Sequence, residues 1–142
     1  DIMARYFGLL DRLNTFLKEL SHPYRNWAFI VKENRILCLD YFYLLKEHPQ
    51  GHRAAHIYVN IFIDAIKLSD NAEVRADAAD NLLLFLQKLT KDSEKYFPKF
   101  KPVINGAFDS ILNLDDVSCV FPAFCTQLLS AKKISSIAFK HR

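Results

Sequence analysis

The chain has 142 residues, 51% of them apolar, with 12 phenylalanines, 6 tyrosines and a formal net charge of +3. That length favours one domain with a real core, the composition excludes a disordered chain, and the mild charge neither demands nor excludes an acidic partner. The longest apolar runs are about five residues, far below the roughly 20 that cross a bilayer, so no transmembrane segment is expected.

The first predicted element is a helix over residues 2–20. Tyr6, Leu9, Leu10, Leu13, Phe16, Leu17 and Leu20 recur at helical spacing, while Arg5, Asp11, Arg12 and Lys18 fall outside that face. Ser21-His22-Pro23 ends it, because the residue before a proline avoids the α region. Residues 25–47 read as a second helix with Trp27, Ile30, Val31, Leu37, Cys38, Tyr41, Leu44 and Leu45 inward. A rival remains open there: two strands over 28–31 and 36–43, joined by Lys32-Glu33-Asn34-Arg35. That link has no glycine, which weakens a hairpin. His48-Pro49-Gln50-Gly51 is a break.

Residues 52–68 form the element around which the rest is laid. Arg53, His56, Asn60, Asp64 and Lys67 are spaced by 3, 4, 4 and 3 and make one polar stripe; almost everything between them is apolar. A helix with so narrow a wet stripe is packed around most of its circumference. After the turn Ser69-Asp70-Asn71, Asp70 reads as an N-cap with Glu73 as its reciprocal partner. The next helix, 72–90, turns Val74, Ala78, Leu82, Phe85, Leu86 and Leu89 to one side.

The sequence Asp70, Val74-Arg75, Ala78, Leu82, Leu86 resembles the turn and second helix of a HEAT repeat, over roughly residues 52–90. In that family a turn Asp and an Arg early in the second helix pair between stacked repeats. The resemblance implies those roles for Asp70 and Arg75.

Residues 91–101 read as a polar connection, and Pro102 suits the first turn of a helix ending near Leu114. Asp115 or Asp116 is expected to cap a last helix, 116–131, with a kink or a start at Pro122. The expected architecture is therefore all-α: three stacked antiparallel hairpins, 2–47, 52–90 and 100–131, forming one α-solenoid domain of HEAT or armadillo type over 1–142. Their period fits repeat units of roughly 40–47 residues. The chain begins at Asp1, from which we expect a processed or excised piece of a longer protein.

Chemistry-bearing motifs are sparse. Cys38, Cys119 and Cys125 are odd in number and lack framework spacing, which points to reduced thiols and an intracellular home. His52 and His56 are four apart, but Arg53 occupies the place where a metalloprotease helix needs Glu, so no metal site is expected. No phosphate loop or nucleophile elbow is present; neither an enzyme nor a cofactor is expected. The stripe Arg53, His56, Asn60, Asp64, Lys67 is the preferred contact surface for another protein or peptide, since solenoids bind partners along helix rows. The alternative partner is a nucleic acid or an acidic membrane surface, met by Lys95, Lys99 and Lys101 with Lys132 and Lys133.

Overall fold

Helices fill the structure because the apolar residues recur at three and four. The computed structural model describes residues 2–91 and 93–114. In order these are α1 (Ile2–Ser21), α2 (Trp27–Arg35), a π turn (Ile36–Asp40), α3 (Phe42–Glu47), α4 (Gly51–Leu68), α5 (Ala72–Lys91) and α6 (Ser93–Leu112). No strand occurs among the described residues. The predicted helix 116–131 lies outside them.

The segment 25–47 is neither one regular helix nor a hairpin of strands. Asn26 starts α2, its Oδ1 accepting from the Phe29 N–H at 3.1 Å, a side-chain cap of the usual kind. The helix then widens: the Tyr41 N–H reaches back five residues to the Ile36 carbonyl at 3.3 Å. It resumes as α3 after Tyr41, whose φ of −101° and ψ of 21° leave helical geometry. Single π turns inside helices are frequent at functional sites.

The helix α4 lies in the middle, packed against α2, α3, α5 and α6. Its Ala55, Val59, Phe62, Ala65 and Ile66 join Leu82, Phe85 and Leu86 of α5 and Phe100, Ile104 and Phe108 of α6 in the main core. Phe85 packs roughly perpendicular to Phe42 and Tyr58, each with ring centroids 6.4 Å apart, the T-shaped arrangement aromatic pairs favour. A smaller cluster, Phe16, Ile30, Leu37 and Ile61, seats α1 on α2 and α4, with Leu9, Leu13 and Trp27 around it. Arg12 Nη1 reinforces that seat by donating to Glu33 at 2.8 Å. Asn34, fully buried, donates from Nδ2 to the Tyr58 carbonyl at 2.9 Å and so ties α2 to α4.

Two local readings change. The cap of α5 is Asn71, not Asp70: Asn71 Oδ1 accepts from the Glu73 and Val74 N–H groups at 2.9 and 3.3 Å. The first helical residue is Ala72, so only the residue just before it can reach the second and third free N–H groups. The polar connection expected over 91–101 is helical from Ser93 onward, with Pro98 and Pro102 inside α6. Both prolines are exposed and four apart, so they share the outer face. Each removes one backbone bond, and on that face water can take the carbonyl it frees.

Candidate interaction surface

The polar stripe of α4 faces outward because the rest of that helix is held by the core. Arg53, His56, Asn60 and Lys67 are exposed and Asp64 is half-exposed. The structure thus places all five on one free strip. Asn60 Nδ2 donates to His56 Nε2 at 3.2 Å, a one-turn link along the row. Two apolar residues join them: Ile57 is 56% and Leu68 63% exposed. By residue type alone both belong with the apolar positions around the stripe. Period alone could not separate them from Ile61 and Ala65, which are buried.

Arg75 Nη1 donates to the Ser69 carbonyl at 2.8 Å, so its guanidinium closes the end of α4 next to its own turn. Asp70, beside it, is exposed.

The lysines expected to meet an anionic surface are distributed differently. Lys99 Nζ donates to the Lys46 carbonyl in the last turn of α3 at 3.3 Å and to the carbonyl of His48 just past its end, where a cation complements the helix dipole. Lys88 lies 5.6 Å from the centre of the Phe42 ring. Lys101 is half-buried. The Lys95 side chain, Lys132 and Lys133 lie outside what the structure describes. His52 is half-buried with its Nδ1 enclosed, while His56 is exposed, so the four-residue spacing does not present the two rings alike. Among the described residues no group of three or more His, Cys, Asp or Glu side chains is placed to hold a metal ion, and no helix is long and apolar enough to cross a membrane.

Cys38 is fully buried, and burial pushes its thiol pKa up, with the nearby Asp40 charge adding to the rise. A thiol so held stays protonated and inert. Cys119 and Cys125 lie outside the described residues.

Beside the α4 row, an apolar cleft opens between α1, the π turn, α3 and the first turns of α4. It depends on Gly51. A Cβ there would overlap the Leu45 carbonyl oxygen and come within 3.1 Å of Lys99 Nζ. Glycine therefore lets α4 begin against the end of α3, which brings Ala54 and Tyr58 to the cleft. The sequence marked 48–51 as a break but carried no signal for this approach.

Comparison with known proteins adds no relative: no protein-family model, no curated protein and no solved structure matches the chain.

Proposed function

We propose that the chain is a non-catalytic protein-interaction module, an intracellular segment of an α-solenoid of HEAT or armadillo type, and that it meets its partner along α4. The observation that carries this reading is the row Arg53, His56, Ile57, Asn60, Lys67 and Leu68, exposed on a helix whose other side is core. A row on so restrained a helix loses little entropy when a partner docks. It also mixes hydrogen-bonding groups with apolar anchors, the combination that interface centres use. The free thiol of Cys38 suits the reducing interior of a cell. The stacking roles implied for Asp70 and Arg75 belong to the same proposal, and Asp70 is exposed. Of the lysines named for an anionic partner, Lys99 is bonded to the end of α3 instead.

The test is an Asn60→Ala, Asp64→Ala double variant and an Ile57→Asp variant, compared with the wild type as bait. Both variants should keep the unfolding midpoint, because exposed changes away from caps and core shift stability by no more than about 0.5 kcal/mol. Both should lose the partners that the wild type retains. Folded variants that hold every partner at full affinity would count against the row.

A further inference from the structure

A recess opens at the end of the α4 row, between Leu68, the last residue of α4, and the link from α1 to α2. It measures about 590 Å3. Leu20, Pro23, Trp27 and Leu68 supply carbon, and Ser21, His22 and Arg25 supply the polar groups. Trp27 is a fixed platform, because it packs on both the main core and the smaller cluster. Leu68 belongs to the exposed row as well, so the recess is continuous with that surface.

Arg25 is held in place with its fork free. Its Nε donates to the Leu20 carbonyl at 2.8 Å, and its guanidinium carbon lies 5.3 Å from the centre of the Trp27 ring, inside cation–π range. Among the described residues neither Nη nitrogen has a partner. The His22 ring is set by Nδ1, which stands 3.2 Å from the Tyr24 nitrogen and 3.1 Å from its oxygen, and its Nε2 has no partner among the described residues. No Asp or Glu is among the described residues that line the recess. Glu19, the acidic residue nearest in sequence, accepts the Asn26 N–H at 2.8 Å. Both α1 and α4 end here, and each negative dipole end has its cation: Arg25 Nε on the Leu20 carbonyl and Arg75 Nη1 on the Ser69 carbonyl.

We propose that this recess anchors an acidic peptide segment of the partner, with a large apolar side chain against Trp27 and Leu68 and a neighbouring carboxylate on the Arg25 fork; the assignment rests on the reading of α4 as the contact row. A planar guanidinium pairs bidentately with a carboxylate, and one already fixed by a carbonyl and a ring loses little freedom in doing so. Tryptophan and arginine are also the side chains that most often dominate binding energy at interfaces. A nucleic acid or an anionic membrane fits less well. Asp64 lies half-exposed in the row and Asp70 exposed two residues beyond Leu68, and a continuous array of phosphates would meet both.

The experiment is selection of a displayed library of random peptides on the full chain. Selected peptides should carry Asp or Glu next to Leu, Ile or Phe, and a tryptophan-free example should change the fluorescence of Trp27, the one tryptophan in the chain. Arg25→Glu should weaken that peptide at least about ten-fold and, in a fresh selection, should take Lys or Arg in place of the acid. If Arg25→Glu unfolds the chain, Arg25→Gln replaces it and should abolish the preference for acid. Phosphatidylserine vesicles and a single-stranded oligonucleotide should fail to displace the peptide. Peptides without acidic preference, an affinity unchanged by Arg25→Glu, or displacement by the vesicles or the oligonucleotide overturns the proposal. Failure of the recess and failure of the row are distinguishable. Peptides weakened by Ile57→Asp but not by Arg25→Glu reject the recess and keep the row; the opposite pattern keeps the recess and rejects the row.

Discussion

Replacing Gly51 by alanine sets two effects against each other, and the structure says which one wins. Alanine is favoured over glycine inside a helix by up to ~1 kcal/mol, and Gly51 is the first residue of α4, where that gain is smaller. Against it stands the space. The new Cβ would overlap the Leu45 carbonyl oxygen and lie 3.0 Å from the Leu45 carbonyl carbon. Carbon contacts relax only at about 3.5–4.0 Å, so the ends of α3 and α4 must part by at least about half an ångström. Both atoms are backbone, and no rotamer change relieves them. Overpacking of this kind typically costs about 1–3 kcal/mol. Parting the two helices also strains the Lys99 bonds to the Lys46 and His48 carbonyls, charge-assisted bonds that contribute about 1.5–3 kcal/mol when intact. A net loss of about 2–3 kcal/mol is expected, which for a chain of this size lowers Tm by roughly 6–12 °C. Thermal unfolding followed by circular dichroism measures it. Gly106→Ala is the control: nothing lies within 4 Å of a Cβ at that position, so the same exchange should stabilise by about 0.5–1 kcal/mol. If Gly51→Ala matches or exceeds the wild-type Tm, the close approach of α3 and α4 is not real.

Other outcomes follow from single contacts. Asn71→Ala should cost about 1 kcal/mol in urea unfolding while Asp70→Ala costs only a few tenths, because the cap of α5 is at Asn71; the reverse order would return the cap to Asp70. Phe85→Ala should lose about 3–5 kcal/mol, since Phe85 is fully buried between Phe42 and Tyr58; a loss below 1 kcal/mol in the same assay would contradict that packing. The Cys38 thiol keeps its proton in the fold at pH values where the unfolded chain, near its ordinary 9.0, has lost it. Its stabilising contribution is therefore whole below about pH 9 and declines as pH rises beyond, until the folded thiol itself titrates. Unfolding midpoints between pH 8 and 11 should fall more steeply for the wild type than for Cys38→Ala, and parallel curves would refute the assignment.

Element type was readable from the sequence wherever the packed face was broad and regular. The stripe 53–67 and the apolar spacing of 2–20 and 72–90 each dictate a helix, because a period of three and four residues buries one face only in that conformation. The ends at Pro23 and around Gly51 were also local matters, set by sterics along the chain. The absence of strands among the described residues closes the alternative left open over 28–43.

What periodicity could not convey was decided by contacts distant in sequence. The π turn at 36–40 gives no pattern of its own, since the inward residues on either side keep helical spacing. Ser93–Lys101 reads as polar punctuation, yet α6 runs through it because Phe100, Val103 and Ile104 are held by α4 and α5 while both prolines point outward. Lys99 counts as one more surface charge until α3 is seen to end beneath it, more than 50 residues earlier in the chain. Ile57 and Ile61 are chemically identical and one turn apart, yet the second is buried against Phe16, Ile30 and Leu37 while the first is exposed. Local sterics and hydrophobic period act within a few residues and so are written in the chain. Which neighbour covers which face depends on how whole helices pack, and that is settled only when they meet.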